Sequence, residues 1–231
     1  MNSISIIIPI LNENECIGPL LKHLLANSSP SNIAEITVVD GGSTDGSQAI
    51  VKAINGITLR TSEKGRAKQM NLGAKQAKGS ILYFLHADAF PPKDFDTYII
   101  DEVEKENFAG CFRMQFDSSH WWLKLASWLT QFNWRPCRGG DQSQFITKAL
   151  FEEIGGYNEN YIIYEDNILI NELYKRKAFV VINKKIKTSA RLYKKVGVWK
   201  LQYHFWTIYV KRWFGANADE LLAYYKKYIA S

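Results

Sequence analysis

Three short apolar runs limit the fold more than any other feature of this chain. "SIIIPIL" (residues 5–11), "ITVVD" (36–40) and "ILYFL" (81–85) are rich in β-branched and aromatic residues and carry no polar face. Strands of that kind belong inside a parallel sheet covered on both sides. Helical patterns separate them. Residues 14–27 set Ile17, Leu20, Leu21, Leu24 and Leu25 on one face. "STDGSQAIVKAI" opens with Ser43 and Thr44 as candidate N-caps and carries Ala49, Ile50 and Ala53. "GRAKQMNLGAKQAKG" repeats Ala67, Met70, Ala74 and Ala77 at helical spacing before Gly79 ends it. Alternating strands and helices predict an α/β, Rossmann-like sheet, mostly parallel and flanked by helices.

The second half reads differently. "FAGCFRMQF" alternates like a strand with one wet face, and "HWWLKLASWLTQFNW" is helical and aromatic. "TKALFEEIGGY" is a short helix stopped by Gly155-Gly156; "EDNILINELYKRK" is another, followed by the strand "AFVVI". Two C-terminal helices, about 196–214 and 217–229, close the pattern. No repeat or low-complexity linker divides the 231 residues. They are expected to form one domain: 1–110 nucleotide-binding, 111–195 acceptor and catalytic, 196–231 the terminal helices.

Ligands of open α/β sheets bind beyond the C-terminal ends of the strands. Three such ends are polar here: "PILNENE", "VVDGGSTDGS" and "FLHADAF". At the second, Asp40 precedes two glycines and a helix start, so a ligand can approach the backbone closely. The loop is neither GxGxxG nor a P-loop, which leaves a simple helix-starting turn as the alternative.

Read together, "SIIIPILNENECI", "VVDGGSTDGS", "NLGAKQAKGSILYFLHADA", "LFEEIGGYNENY" and "YEDNILINELY" resemble family 2 of the glycosyltransferases, nucleotide-sugar enzymes of GT-A fold, from residue 4 to about residue 177. "HAD" in place of D-x-D, with "GRAxQMNxG" (Gly65–Gly73), "GDQ" (Gly140–Gln142) and "TSAR" (Thr188–Arg191), is similar to a bacterial branch labelled selenodomain-associated or arsenosugar-biosynthesis glycosyltransferase. The resemblance implies inverting transfer of a sugar from a nucleoside-diphosphate donor to an acceptor hydroxyl. It implies Asp88 as ligand of Mn²⁺ or Mg²⁺, with Ala87 beside it and Pro9, Asn12, Glu13 and Asp40 around the nucleotide. His86, two residues before Asp88, reaches the same metal if the strand stays extended, or touches the sugar or a backbone carbonyl instead. Arg66 suits phosphate or base through its forked donors. Gly140, Asp141 and Gln142 fall beside the donor sugar, with Asp141 a loop buttress as the other reading. The resemblance makes Asp166 the general base; Asp is also a preferred N-cap, and capping would lower its pKa. Glu165 has a catalytic, acceptor-binding or structural role.

Charge is unevenly placed. Residues 1–110 hold ten basic and thirteen acidic side chains, residues 111–231 nineteen and ten, and Leu173–Ala218 twelve basic and none acidic. Trp199, Tyr203, Trp206, Val210 and Trp213 form a helical stripe in that block. Such a stripe is either core packing or an interfacial helix, which a lipid-linked acceptor would explain. No window is long and apolar enough to span a bilayer. "MNSISIIIPILNENE" reads as a first strand instead of a signal peptide, and three scattered cysteines read as reduced thiols. The expectation is a cytoplasmic protein, peripheral at the inner membrane face. No nucleic-acid motif accompanies the basic block. Other readings are a nucleotidyltransferase, against which stands the acidic loop after the first strand, and a catalytically silent nucleotide-sugar or membrane-binding module, against which stand Asp88 and Asp166.

Overall fold

The computed structural model describes residues 2–139 and 142–230, so Gly140 and Asp141 of the predicted sugar loop lie outside the described residues. The three apolar runs form strands β1 (Ile4–Ile10), β2 (Ile33–Asp40) and β4 (Ile81–Phe84), joined by the shorter β3 (Ile57–Thr61). Helices α1 (Asn14–Asn27), α2 (Ser47–Lys52) and α3 (Arg66–Gln76) make the connections. Then follow β5 (Ala89–Phe90), α4 (Phe95–Glu104), β6 (Ala109–Phe116), α5 (Trp121–Leu129), β7 (Gln144–Thr147), α6 (Lys148–Ile154), α7 (Glu165–Lys175) and β8 (Val180–Thr188). The chain closes with α8 (Arg191–Val196), α9 (Val198–Trp213) and α10 (Ala218–Tyr228).

These strands make one sheet in the order β3-β2-β1-β4-β7-β6-β8-β5. The β3-β2-β1-β4 half is wholly parallel, as expected from strands with two apolar faces. Ile6, Ile8 and Ile10 pack under Leu20, Leu21 and Leu24 of α1 and Phe95 and Ile99 of α4. Ile7 and Val39 face the other way, onto Ala67, Met70 and Ala74 of α3 and Leu169 and Leu173 of α7. Each of these buried Ile, Leu, Val, Phe and Met side chains contributes roughly 1.5–3 kcal/mol by leaving water.

Three local expectations need correction. Ser43 and Thr44 do not cap α2; the helix starts later, behind Gly46 in the left-handed region (φ 91°), because Asp40 engages Ser43 first. The predicted 196–214 helix starts at Val198 as α9, because Gly197 (φ 94°) separates it from α8, a short helix absent from the sequence expectation. The strand β6 lacks a single wet face: Ala109–Phe112 are all buried, because Ala109 and Cys111 pack into the core on one side of the sheet and Phe112 into the core on the other. At Gly110 a Cβ would stand 2.3 Å from the Val180 carbonyl oxygen. Gly110→Ala is therefore expected to cost about 1–3 kcal/mol, read as a lower urea midpoint at unchanged slope.

Candidate active site

The C-terminal ends of β1, β2 and β4 converge, and hydrogen bonds stitch their loops together. Asn12, held at φ 57°, donates its N–H to Ser43 Oγ (2.8 Å) and accepts from the Thr44 N–H (2.8 Å). The Glu13 N–H donates to Ser47 Oγ (2.9 Å). Asp40 is fully buried and accepts from the Gly42 and Ser43 N–H groups (3.1 Å each), the Ser43 hydroxyl and Gln48 Nε2 (2.6 Å). Burial works to raise its pKa, but the Ser43 and Gln48 hydrogen bonds outweigh it and hold the carboxyl below its ordinary value. Its oxygens thus serve the turn that shapes this edge. Half-buried Pro9, opposite Val39, completes the β1 wall.

Two charge clusters occupy the edge. In the first, Arg191, at the start of α8, reaches Glu13 (Nη2–Oε1, 2.6 Å) and Asp88 (Nε–Oδ2, 3.4 Å). Glu13 Oε2 is buried with no hydrogen-bond partner among the described residues. Buried Ala87 sits next to this pair. "TSAR" thus delivers a guanidinium onto the carboxylates, a role its sequence alone did not reveal.

The second cluster joins Arg66 to Glu165 (3.1 Å) and Asp166 (3.7 Å). Glu165 is 1% exposed and Asp166 12%. Burial, then the adjoining Glu165 charge, raises the Asp166 pKa to about 7 against the pull of Arg66. Asp166 does not cap α7: Tyr164 holds the cap position, and Asp166 stands inside the first turn. The pKa-lowering effect expected of a cap is therefore absent, and the shift has the opposite sign.

His86 belongs with this second cluster. Strand β4 ends at Phe84 and residues 86–89 turn, the Ala89 N–H donating to the His86 carbonyl (3.1 Å), so the extended geometry expected to align His86 with Asp88 does not form. The imidazole lines a small cavity with Asp166, Gln144 and Tyr157. Burial and the Arg66 charge push its pKa down to about 3, which keeps it neutral.

The "GRAxQMNxG" helix builds both clusters' scaffold. Gly65 takes φ 146° at the helix start and Arg66 reaches the carboxylates. Gln69 Nε2 donates to the Ile10 and Val39 carbonyls (2.8 and 2.7 Å), tying the ends of β1 and β2. Asn71 holds the Tyr157 backbone through both its N–H and carbonyl (2.9 Å each), and Gly73 leaves room for Ile7, which a Cβ would meet at 2.5 Å. Gln142 is buried and points inward: Arg138 Nη1 donates to its Oε1 (2.7 Å), and its Nε2 donates to the Cys137 carbonyl (2.6 Å). His204 is buried between α9 and α10 with Nδ1 2.8 Å from the Tyr224 hydroxyl.

A family model described as "Glycosyl transferase family 2" matches residues 5–180. The chain is 33% identical over 122 residues to a dolichyl N-acetyl-alpha-D-glucosaminyl phosphate 3-beta-D-2,3-diacetamido-2,3-dideoxy-beta-D-glucuronosyltransferase of Methanococcus voltae, covering 48% of this chain and 38% of that enzyme. Among solved structures it is similar to S. aureus TarS 1-349 in complex with UDP, with TM-score 0.67 and 19% identity over 81% of this chain and 60% of that one. A glucosyl-3-phosphoglycerate synthase of Mycobacterium tuberculosis, solved with Mn²⁺, UDP and glucosyl-3-phosphoglycerate, gives TM-score 0.59 and 15% identity over 80% of this chain and 70% of that one. The chain spans well under half of the curated relative it matches here.

Proposed function

Since this chain belongs to glycosyl transferase family 2, we propose that it is a glycosyltransferase that moves a sugar, with inversion, from a nucleoside-diphosphate sugar to an acceptor hydroxyl. The observation carrying this reading is Asp166, a largely shielded carboxylate that Arg66 holds beside Glu165 and whose pKa, raised to about 7 by burial and the Glu165 charge, lets it take a proton near neutrality. Arg66 orients Asp166 and Glu165. Neutral His86 borders the same cavity and serves the sugar side of the site, apart from the metal. The donor nucleotide lies along the Pro9–Glu13 edge, on the loop that Asp40 shapes, and Gln142, which adjoins the predicted sugar loop in sequence, is tied to Arg138 and the Cys137 carbonyl. Residues 1–231 act as one unit in this reading.

The residues fit a divalent cation. Asp88 and Glu13 offer hard oxygens drawn together on a single guanidinium, and one Glu13 oxygen is buried without a hydrogen bond. Among the described residues no set of three or more His, Cys, Asp or Glu side chains is placed to hold a metal. The Asp88–Glu13 pair suits Mn²⁺ or Mg²⁺ held by one or two carboxylates plus phosphate oxygens. When bound, the cation supplies charge neutralisation for the leaving diphosphate. Asp88 would hold it, and Arg191, which contacts Asp88 here, would supply a guanidinium for the diphosphate.

The acceptor is lipid-linked in this proposal, like the dolichyl phosphate substrate in the archaeal relative's name, and the enzyme sits peripherally at the cytoplasmic membrane face. No helix among the described residues is long and apolar enough to cross a membrane. Thermal-shift screening of UDP-, GDP- and dTDP-sugars with and without Mn²⁺ tests the donor assignment. One nucleotide class is expected to raise the midpoint, more strongly with Mn²⁺. No shift with any of them would remove the donor-binding premise.

A further inference from the structure

A helix such as α9 would ordinarily bury its apolar stripe, yet here it buries the opposite side. At about 100° per residue, Trp199, Tyr203, Trp206, Val210 and Trp213 fall within an arc of about 80°. All five are exposed, from 48% at Val210 to 84% at Trp213. Leu201, His204 and Ile208 point the other way and are buried against α10 and against Tyr161, Ile163 and Tyr164 ahead of α7. The stripe continues onto α5: Trp122 packs on Trp199 and Trp206 (5.4 and 5.8 Å), and Trp121, 60% exposed, packs on Trp199 (5.6 Å). Phe214, stacked beside Trp213, is 84% exposed. Contiguous indoles left in water cost free energy, and they mark a surface that meets an apolar partner.

Charge identifies the partner. The stripe lies in the stretch with twelve basic and no acidic residues, and exposed Lys200 and Lys211 border it on α9. A second copy of this chain would bring the same positive surface against it. Indoles flanked on one side by lysines fit the headgroup zone of an anionic bilayer, where rings enter the acyl boundary and ammonium groups meet lipid phosphates.

We propose that the α5–α9 aromatic face docks this enzyme on an anionic lipid surface. The proposal rests on the glycosyltransferase reading above and adds how the acceptor arrives. The flank of α9 next to the stripe reaches the helix that carries Asp166: the Tyr209 hydroxyl is 3.3 Å from Asn167 Oδ1, next to Asp166, and the Tyr164 and Tyr209 rings pack at 5.4 Å. One helix thus sets its aromatic stripe on the bilayer and its flank on the residues beside the base. A lipid-borne hydroxyl would then be presented to Asp166 from the membrane side.

The test is co-sedimentation of the full chain with vesicles of phosphatidylcholine alone, or mixed equally with phosphatidylglycerol, at low and high salt. Binding is expected only with the anionic lipid, with a blue shift of Trp emission, and weaker at high salt. The double variant W213A/F214A removes rings that pack mainly on each other, and Lys200→Glu reverses a border charge; each should lower partitioning about tenfold. No binding to the anionic vesicles, or undiminished binding by both variants, overturns the proposal. So does a lipid-independent dimer that W213A/F214A dissociates, which would make a second copy the occupant. Nucleotide-sugar thermal shifts on the same samples separate the two failures: a retained donor shift without vesicle binding sinks docking and leaves the transferase reading standing.

Discussion

Asp166→Asn is expected to lower sugar transfer by about 10²–10⁴-fold while leaving the donor-induced thermal shift within about twofold of wild type. Asn keeps the shape and loses the base, so the loss should appear in kcat. In the wild type, the base works only when ionised, so kcat/KM should rise with pH through about 7 and then level. The rising limb should vanish in the variant. Stability supplies a second readout of opposite sign. The folded pKa of Asp166 lies above its ordinary 3.8, so the fold binds the extra proton. Its contribution is fully present below about pH 3.8 and is lost as pH rises through about 7. Asp166→Asn removes that loss, so its melting temperature should gain on the wild type more at pH 8 than at pH 5. Wild-type turnover in the variant, or an unchanged rising limb, would displace Asp166 as the base.

The sequence exposed the parallel half of the sheet because β1, β2 and β4 are short, β-branched and apolar on both faces, a pattern few other structures tolerate. The two carboxylate positions were legible for a related reason: polar residues placed abruptly after such strands have only the sheet edge to occupy. Less legible was anything set by contacts distant in sequence. Arg191 lies 178 residues from Glu13, and no local pattern announces their contact. The direction of Asp166's titration depends on Glu165, Arg66 and burial together, whereas residue type alone pointed towards a cap. Of the two readings of His86, the one that needed an extended strand fails because the chain turns there, and residue spacing alone could not choose between them. The Trp stripe was visible, but periodicity cannot say which face of a helix meets water, and α9 reverses the usual choice.

Asp88→Asn probes the other cluster and carries the second large effect. Asn retains the size of Asp but gives up the charge that a hard cation requires, so Mn²⁺-dependent strengthening of nucleotide binding should be lost. Transfer should fall about 10²–10³-fold, the scale on which stabilisation of developing charge acts. The fold should survive, because Arg191 keeps its 2.6 Å contact with Glu13 after losing the 3.4 Å contact with Asp88. His86→Ala is the necessary comparison. The imidazole faces Asp166 and Arg66, so this variant should disturb turnover while preserving the Mn²⁺ response of the nucleotide thermal shift. Titrating Mn²⁺ at fixed nucleotide into the wild type and both variants decides between the positions. Equal loss of Mn²⁺ response in both would place the imidazole on the metal with Asp88. An intact response in Asp88→Asn would take the cation away from Asp88 altogether and leave Glu13 as the carboxylate to test next.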